Sequence, residues 1–114
     1  MALSDTVKHQ VESQLTVFCN RRVPAHIRDK VNLTFGFRGN SVTLYENRPV
    51  WNKPSEWIHM EIAQFRFDPS TGQWTLYCAD RNNKWHEYLD VEPTSRFEGL
   101  LEEVDRDPTG IFFG

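Results

Sequence analysis

The sequence predicts an α+β domain: an antiparallel sheet of about five strands in a meander, flanked by an N-terminal and a C-terminal helix. Apolar residues recur every three or four positions near both ends of the chain and every second position in its middle. Residues that favour turns separate the alternating segments. A chain of 114 residues with 13% aromatic residues can bury one core, so we expect one domain spanning residues 1–114.

The two helices are predicted from apolar stripes and from the residues that can begin or end a helix. The stripe of the first helix contains Val7, Val11, Leu15 and Phe18, and that of the second contains Phe97, Leu100, Leu101 and Val104. Ser4 or Asp5 can cap the first helix, and Thr94 or Ser95 the second. Pro24 ends the first helix and Pro108 the second, because proline cannot continue a helix.

The strands are predicted from alternation with a period of two. Residues 31–37 and 42–44 form a first hairpin, and a loop containing Pro49 and Pro54 leads to a long strand over residues 57–67. Residues 74–79 and 85–89 form a second hairpin.

The long strand changes parity along its length. Ile58, Met60 and Ile62 share one parity, whereas the later apolar residues have the other. One extra residue in a strand moves all later side chains to the opposite face. We therefore predict a β-bulge near Ile62 and Ala63, which restores a single buried face.

Charge and cysteine usage limit the classes of function. The net charge of −3 argues against a protein that coats nucleic acid, although residues 1–53 carry a net +4 and residues 54–114 a net −7. No apolar run approaches the length of a membrane span, and the first residues lack a secretory signal, so we expect a cytoplasmic protein with no membrane partner. Cys19 and Cys78 are expected to be buried, inert thiols.

Three short motifs carry a resemblance. They are residues 70–77 (STGQWTLY), residues 84–88 (KWHEY) and the ending, residues 107–114 (DPTGIFFG). Together they resemble a family of small bacterial proteins known as a domain of unknown function. The resemblance implies a stand-alone bacterial cytoplasmic protein, and it brings no catalytic residues, because the family has no assigned activity.

Aromatic and imidazole side chains on the strands form the first candidate site. The candidate surface for a ligand or partner consists of Trp57, His59, Glu61, Tyr77, His86 and Tyr88. Alternation places His86 and Tyr88 on one face of their strand, but the register of the second hairpin leaves open whether Tyr77 shares that face. Such a surface can stack on a planar ring. The alternative is that these residues only pack against cross-strand neighbours.

A small enzyme is an alternative hypothesis. His59 and Glu61 share a strand face and can form an acid/base pair or two metal ligands. A metal needs a third group, which His86, Glu87 or Asp80 of the second hairpin would supply, and the hypothesis centres on His59, Glu61 and His86. No known catalytic or metal-binding motif supports this hypothesis, so we predict neither a metal nor a cofactor.

A basic segment raises a second alternative, in which the protein associates with nucleic acid. Its residues are Arg21, Arg22, Arg28, Lys30 and Arg38, and aromatic residues are interleaved with the basic residues of this half of the chain. The opposing interpretation is that these charges are solvated surface groups.

The apolar ending is the third candidate site. Ile111, Phe112 and Phe113 either pack on the core of their own domain or bind a partner or a second copy. The acidic second helix lies beside them in the sequence. We favour a binding or protein-interaction module without enzymatic activity, and a homodimer fits this interpretation.

Overall fold

Residues 3–113, the part of the chain described by this computed structural model, form one open antiparallel sheet of five strands with two helices on one face. The strands are hydrogen-bonded in chain order, which confirms the predicted α+β meander. They are β1 (Asn32–Arg38), β2 (Ser41–Val50), β3 (Lys53–Asp68), β4 (Gln73–Ala79) and β5 (Trp85–Glu87). The helices are α1 (Asp5–Arg22) and α2 (Phe97–Arg106), and a 3-10 turn, Ala25–Ile27, follows α1.

Helix α1 begins and ends as its sequence predicts. The Ser4 side chain accepts a hydrogen bond from the Val7 amide at 3.3 Å, which satisfies one of the unpaired amides of the first turn. The helix ends where Val23 is extended, with φ −121°, as expected of a residue before proline. Its buried side, which contains Val11, Leu15 and Phe18, faces the core.

The core lies between the helices and the inner face of the sheet. Aromatic rings join the two layers, because Phe97 of α2 packs 4.8 Å from Phe65 and 5.0 Å from Trp74, measured between ring centroids. Leu15, Leu44 and Phe65 have no exposed surface. The remaining face of the sheet, here called the outer face, has no helix against it.

Strands β2 and β3 extend further than predicted. The expected loop with Pro49 and Pro54 is wrong, because β2 continues to Val50 and β3 begins at Lys53. Neighbouring strands do not flank this extension: β1 pairs with β2 only up to Asn47, and β4 pairs with β3 only from Ala63 onward. Prolines are tolerated there because a two-stranded ribbon leaves part of each backbone without a ladder partner.

The predicted bulge in β3 is confirmed. Leu44 pairs with Ala63 and Tyr45 with Glu61, so that Ile62 is the additional residue. Both Ile62 and Ala63 are buried, and the residues beyond them resume alternation on the expected face. The bulge therefore adjusts the register between a buried half of β3 and a half that lies outside the core.

The start of α2 differs from the prediction. Arg96 occupies the capping position and makes no side-chain capping bond, whereas Thr94 and Ser95 precede it. Thr94 is held instead in an isolated β-bridge with Trp74, with hydrogen bonds of 2.7 and 3.0 Å between their backbones. The pairing of Thr94 with β4 delays the helix, and β5 is also shorter than predicted, ending at Glu87.

Neither helix within residues 3–113 combines the length and the apolar character needed to cross a bilayer.

Candidate functional site

The outer face of the sheet carries four residues of the predicted surface: Trp57, His59, Glu61 and Tyr77. Residues paired directly across antiparallel strands share a face. His59 pairs with Asn47, and Tyr77 pairs with Gln64, both of which alternate with core residues. The structure thus brings these four residues to one side of the sheet.

His59 is fixed by a hydrogen-bond network on this face. Its Nδ1 lies 2.5 Å from Oδ1 of Asn47, whose Nδ2 donates to Asn32 at 2.7 Å and to Thr34 at 2.9 Å. Because Oδ1 can only accept, Nδ1 of His59 carries the hydrogen, and in the neutral ring Nε2 is the acceptor. Asn47 is buried, so the network holds the imidazole in one orientation.

Tyr77 is covered by a cation–π contact. The Arg66 guanidinium lies 3.9 Å from the centroid of the Tyr77 ring, and its Nε donates to Gln64 at 2.6 Å. Gln64 in turn donates to Thr43 at 3.0 Å. The outer face is therefore linked by its own cross-strand pairs, which agrees with the purely structural interpretation of these residues.

His86 lies on the opposite face from Tyr77. Its partner across the ladder is Cys78, next to Tyr77 in β4, and its Nε2 is 2.7 Å from Oδ2 of Asp80. That hydrogen bond holds the pKa of Asp80 low, at about 2, with help from the Lys84 amide. His86 supports the turn between β4 and β5 and does not extend the surface that contains His59.

Tyr88 belongs to the core. Its hydroxyl donates to Oε2 of Glu103 at 2.9 Å, and its ring packs 5.0 Å from that of Phe112. Burial, together with the hydrogen bond to Glu103, raises the pKa of Tyr88 to about 12. The condition for one aromatic and imidazole surface, in which Tyr77, His86 and Tyr88 share a face, is therefore not met.

The groups of the enzyme hypothesis do not converge. His59 and Glu61 lie on the outer face of β3, whereas His86 projects from the other side of β5. Within residues 3–113, no three His, Cys, Asp or Glu side chains are close enough together to hold a metal ion.

The two thiols are free and buried, as predicted. Burial raises the pKa of Cys19 to about 11, and burial also raises that of Cys78. A thiol with a raised pKa is mostly protonated and therefore a poor nucleophile at neutral pH.

The predicted basic residues do not form one patch. Arg21 and Arg22 are paired with Asp105 at 3.2 and 2.9 Å, and Arg28 donates to the Val23 carbonyl at 3.1 Å. Lys30 precedes β1 and Arg38 ends it, so they lie at opposite ends of that strand. Three of the five arginine and lysine side chains are thus bonded within their own chain.

The apolar ending packs on its own domain at Phe112, which is buried in the core. The carboxylate of Asp107 fixes this segment, because it accepts hydrogen bonds from the amides of Phe112 at 3.0 Å and Phe113 at 2.8 Å. The Phe113 ring lies 3.7 Å from the Arg22 guanidinium, and Ile111 is about half exposed.

The most exposed large apolar side chain among residues 3–113 lies at the projecting end of the β2–β3 hairpin, a feature that the sequence did not predict. This hairpin arm comprises residues 48–58, with Trp51 at its tip and Lys53 at the start of the returning strand. Trp51 is 90% exposed and Ile58 is 50% exposed. The signal in the sequence is the pair of large apolar residues Val50 and Trp51 within the predicted loop that contains Pro49 and Pro54.

A groove between the two helices is the second feature that the sequence did not reveal. It has a volume of about 380 Å³. Val17, Phe18 and Leu101 supply its apolar lining, and the polar residues of the lining are Ser13, Gln14, Arg21, Glu98 and Glu102. Val17 is 66% exposed although it belongs to the apolar part of the groove.

A comparison with protein families gives one match: the family described as "Domain of unknown function (DUF3024)" covers residues 3–114. No curated protein and no solved structure matches the chain.

Proposed function

The chain belongs to the DUF3024 family, a domain of unknown function, and from this premise we propose that it is a protein-interaction module that binds through the hairpin arm and catalyses no reaction. The resemblance noted in the sequence implies a bacterial cytoplasmic protein, and we place the partner in that compartment.

The observation that carries the proposal is the exposure of Trp51, which is 90% accessible at the tip of an arm. An indole is the side chain most enriched among residues that dominate the binding energy of protein interfaces. The arm also presents Ile58, and Met60 at its base is 47% exposed. Ile58 and Met60 lie two residues apart in β3, and neighbouring exposed apolar groups mark interaction surfaces more often than singly exposed ones.

The geometry of the arm supports the same function. Its two strands pair with each other, and the sheet offers no further neighbour on either side. The molecule measures 47 × 28 × 25 Å, so it is elongated. A rigid projecting hairpin can enter a partner's groove with little loss of conformational entropy, because it is already ordered. Trp57 belongs to the arm and His59 follows it, and both can contribute to the same contact.

The experiment compares wild-type protein with Trp51→Ser as bait in a lysate of the source organism. We expect a specific protein to be retained by the wild type and lost with Trp51→Ser. Leu89→Ser is the matched control, because Leu89 is 80% exposed but lies outside the arm. Retention of the same proteins by Trp51→Ser as by the wild type would contradict the proposal.

A further inference from the structure

We propose that the occupant of the groove between α1 and α2 is the arm tip of a second copy, with Trp51 inserted between Val17, Phe18 and Leu101. This inference rests on the proposed function, since it names the partner of the same arm. Both halves of the contact are present in every chain, and two complementarities, one apolar and one of charge, support it.

The first complementarity is apolar. The groove is open to solvent and has a volume of about 380 Å³, large enough to receive an aromatic side chain. Trp51 is the most exposed large apolar side chain among residues 3–113. Transfer of the indole from water to the groove would cover Val17, which is otherwise 66% exposed.

The second complementarity is charge. Glu102 lines the groove and Lys53 follows Trp51 in the arm by two residues, so these two side chains can pair across the contact. Arg48 of the arm already pairs with Glu46 at 2.9 Å, and Glu98 of the groove pairs with Arg96 at 3.1 Å. Arg21 also lines the groove, but it pairs with Asp105 of its own chain at 3.2 Å. Opposite charges around an apolar anchor fix its orientation and speed association.

The arm of one chain cannot enter the groove of the same chain. Both strands of the arm are extended and paired, so the tip is held away from the body, on the line of β2 and β3. The groove is lined by α1 and α2, which pack on the core of the sheet, and no residue of the arm belongs to that core. The contact must therefore be intermolecular, and two copies close it when each inserts its tip into the other.

Sedimentation equilibrium of the full chain tests this contact. We expect concentration-dependent self-association that weakens as salt is raised, and about 30-fold or greater weakening by Trp51→Ala, as for a residue that dominates an interface. Leu89→Ala should leave association unchanged. A wild-type chain that is monomeric up to about 1 mM, or a Trp51→Ala chain that associates equally well, would overturn the inference.

A charge exchange in one chain makes the test specific for the groove. Lys53→Glu and Glu102→Lys should each weaken association about tenfold, because each places like charges together. The double variant Lys53→Glu/Glu102→Lys should recover the wild-type association, since it restores opposite charges. Additive losses in the double variant would contradict the assigned pairing.

A cysteine pair locates the contact. A mixture of Asn52→Cys protein with Ser13→Cys protein should form a mixed disulfide under mild oxidation, whereas Asn82→Cys, on a different exposed turn, should not pair with Ser13→Cys. Equal cross-linking of both mixtures would count against insertion of the arm. If the chain stays monomeric while Trp51-dependent retention from a lysate persists, the interaction function stands and only the self-contact fails.

Discussion

Glu103 is buried although it is an acidic residue of an acidic helix, and the sequence does not suggest this position. Its Oε2 accepts from Tyr88 at 2.9 Å and its Oε1 from Arg106 at 2.7 Å. Burial of such a group is tolerated only where its oxygens are paired. The carboxyl group therefore explains why Tyr88 turns inward and how α2 is joined to the segment that follows β5.

Removal of the hydroxyl of Tyr88 tests this account. Tyr88→Phe keeps the ring against Phe112 but leaves one oxygen of Glu103 unpaired, and we expect a loss of about 1–3 kcal/mol in the free energy of unfolding, measured with urea. Tyr77→Phe, on the outer face, is the control and should change it little. Equal effects of the two substitutions would mean that the hydrogen bond to Glu103 contributes nothing.

Tyr88 also limits the stability of the domain at alkaline pH. The pKa of Tyr88 is raised from 10.0 to about 12, so the folded state favours the protonated hydroxyl. Its contribution to stability is complete below pH 10 and is lost as the pH rises toward 12.

At the scale of the elements, the β4–β5 hairpin depends on one carboxylate in its turn. Oδ1 of Asp80 accepts from the amides of Asn82 at 2.8 Å and Lys84 at 3.0 Å, and Oδ2 bonds His86. These bonds close a turn in which Asn83 adopts a positive φ of 61°. The side chain of Asp80 thus stabilises a hairpin in which β4 and β5 form only three residue pairs.

Strong acid should weaken the turn of this hairpin. Because the pKa of Asp80 is lowered from 3.8 to about 2, its bonds stabilise the fold fully above pH 3.8 and are lost as the pH falls through about 2. NMR titration should place the midpoint of Asp80 near 2, and His86→Ala should raise it toward 3.8. Asp68, which Ser70 bonds, is the internal reference, and a titration of Asp80 that is unchanged in His86→Ala would contradict the assignment.

The elements also show how far sequence reasoning reaches. The alternation along β3 was enough to locate the bulge at Ile62, because the extra residue of a bulge shifts the apolar positions from even to odd residue numbers. Parity alone could not place Tyr88 relative to Tyr77, since the register of their hairpin is set by the Asp80 turn. The arm was missed for a different reason: Pro49 and Pro54 suggest a loop unless the strands are known to lack neighbours there.

At the scale of the whole molecule, the opposite charges of the two halves meet at one point. Arg22 of α1 pairs with Asp105 of α2 at 2.9 Å and covers the Phe113 ring at 3.7 Å. The basic half is therefore used to hold the acidic helix and the apolar ending in place. Phe112 and Phe113 of the predicted interaction tail, and Arg21 and Arg22 of the predicted basic patch, therefore contact other residues of the same domain.

The body should fold without the tip of the arm. Residues 49–57 can be replaced by Asn-Gly, a pair that favours tight hairpins, because Arg48 and Ile58 already face each other across the strands. We expect the free energy of unfolding to change by less than about 1 kcal/mol, as for surface changes that break no core contact. Small-angle X-ray scattering should show a shorter longest dimension for the shortened chain than for the intact chain measured under the same conditions. Phe112→Ala is the contrasting variant and should cost about 3–5 kcal/mol, since it empties a buried site. If the shortened chain lost cooperative unfolding, the arm would be part of the folding unit, and its exposed tryptophan could no longer be assigned to binding alone.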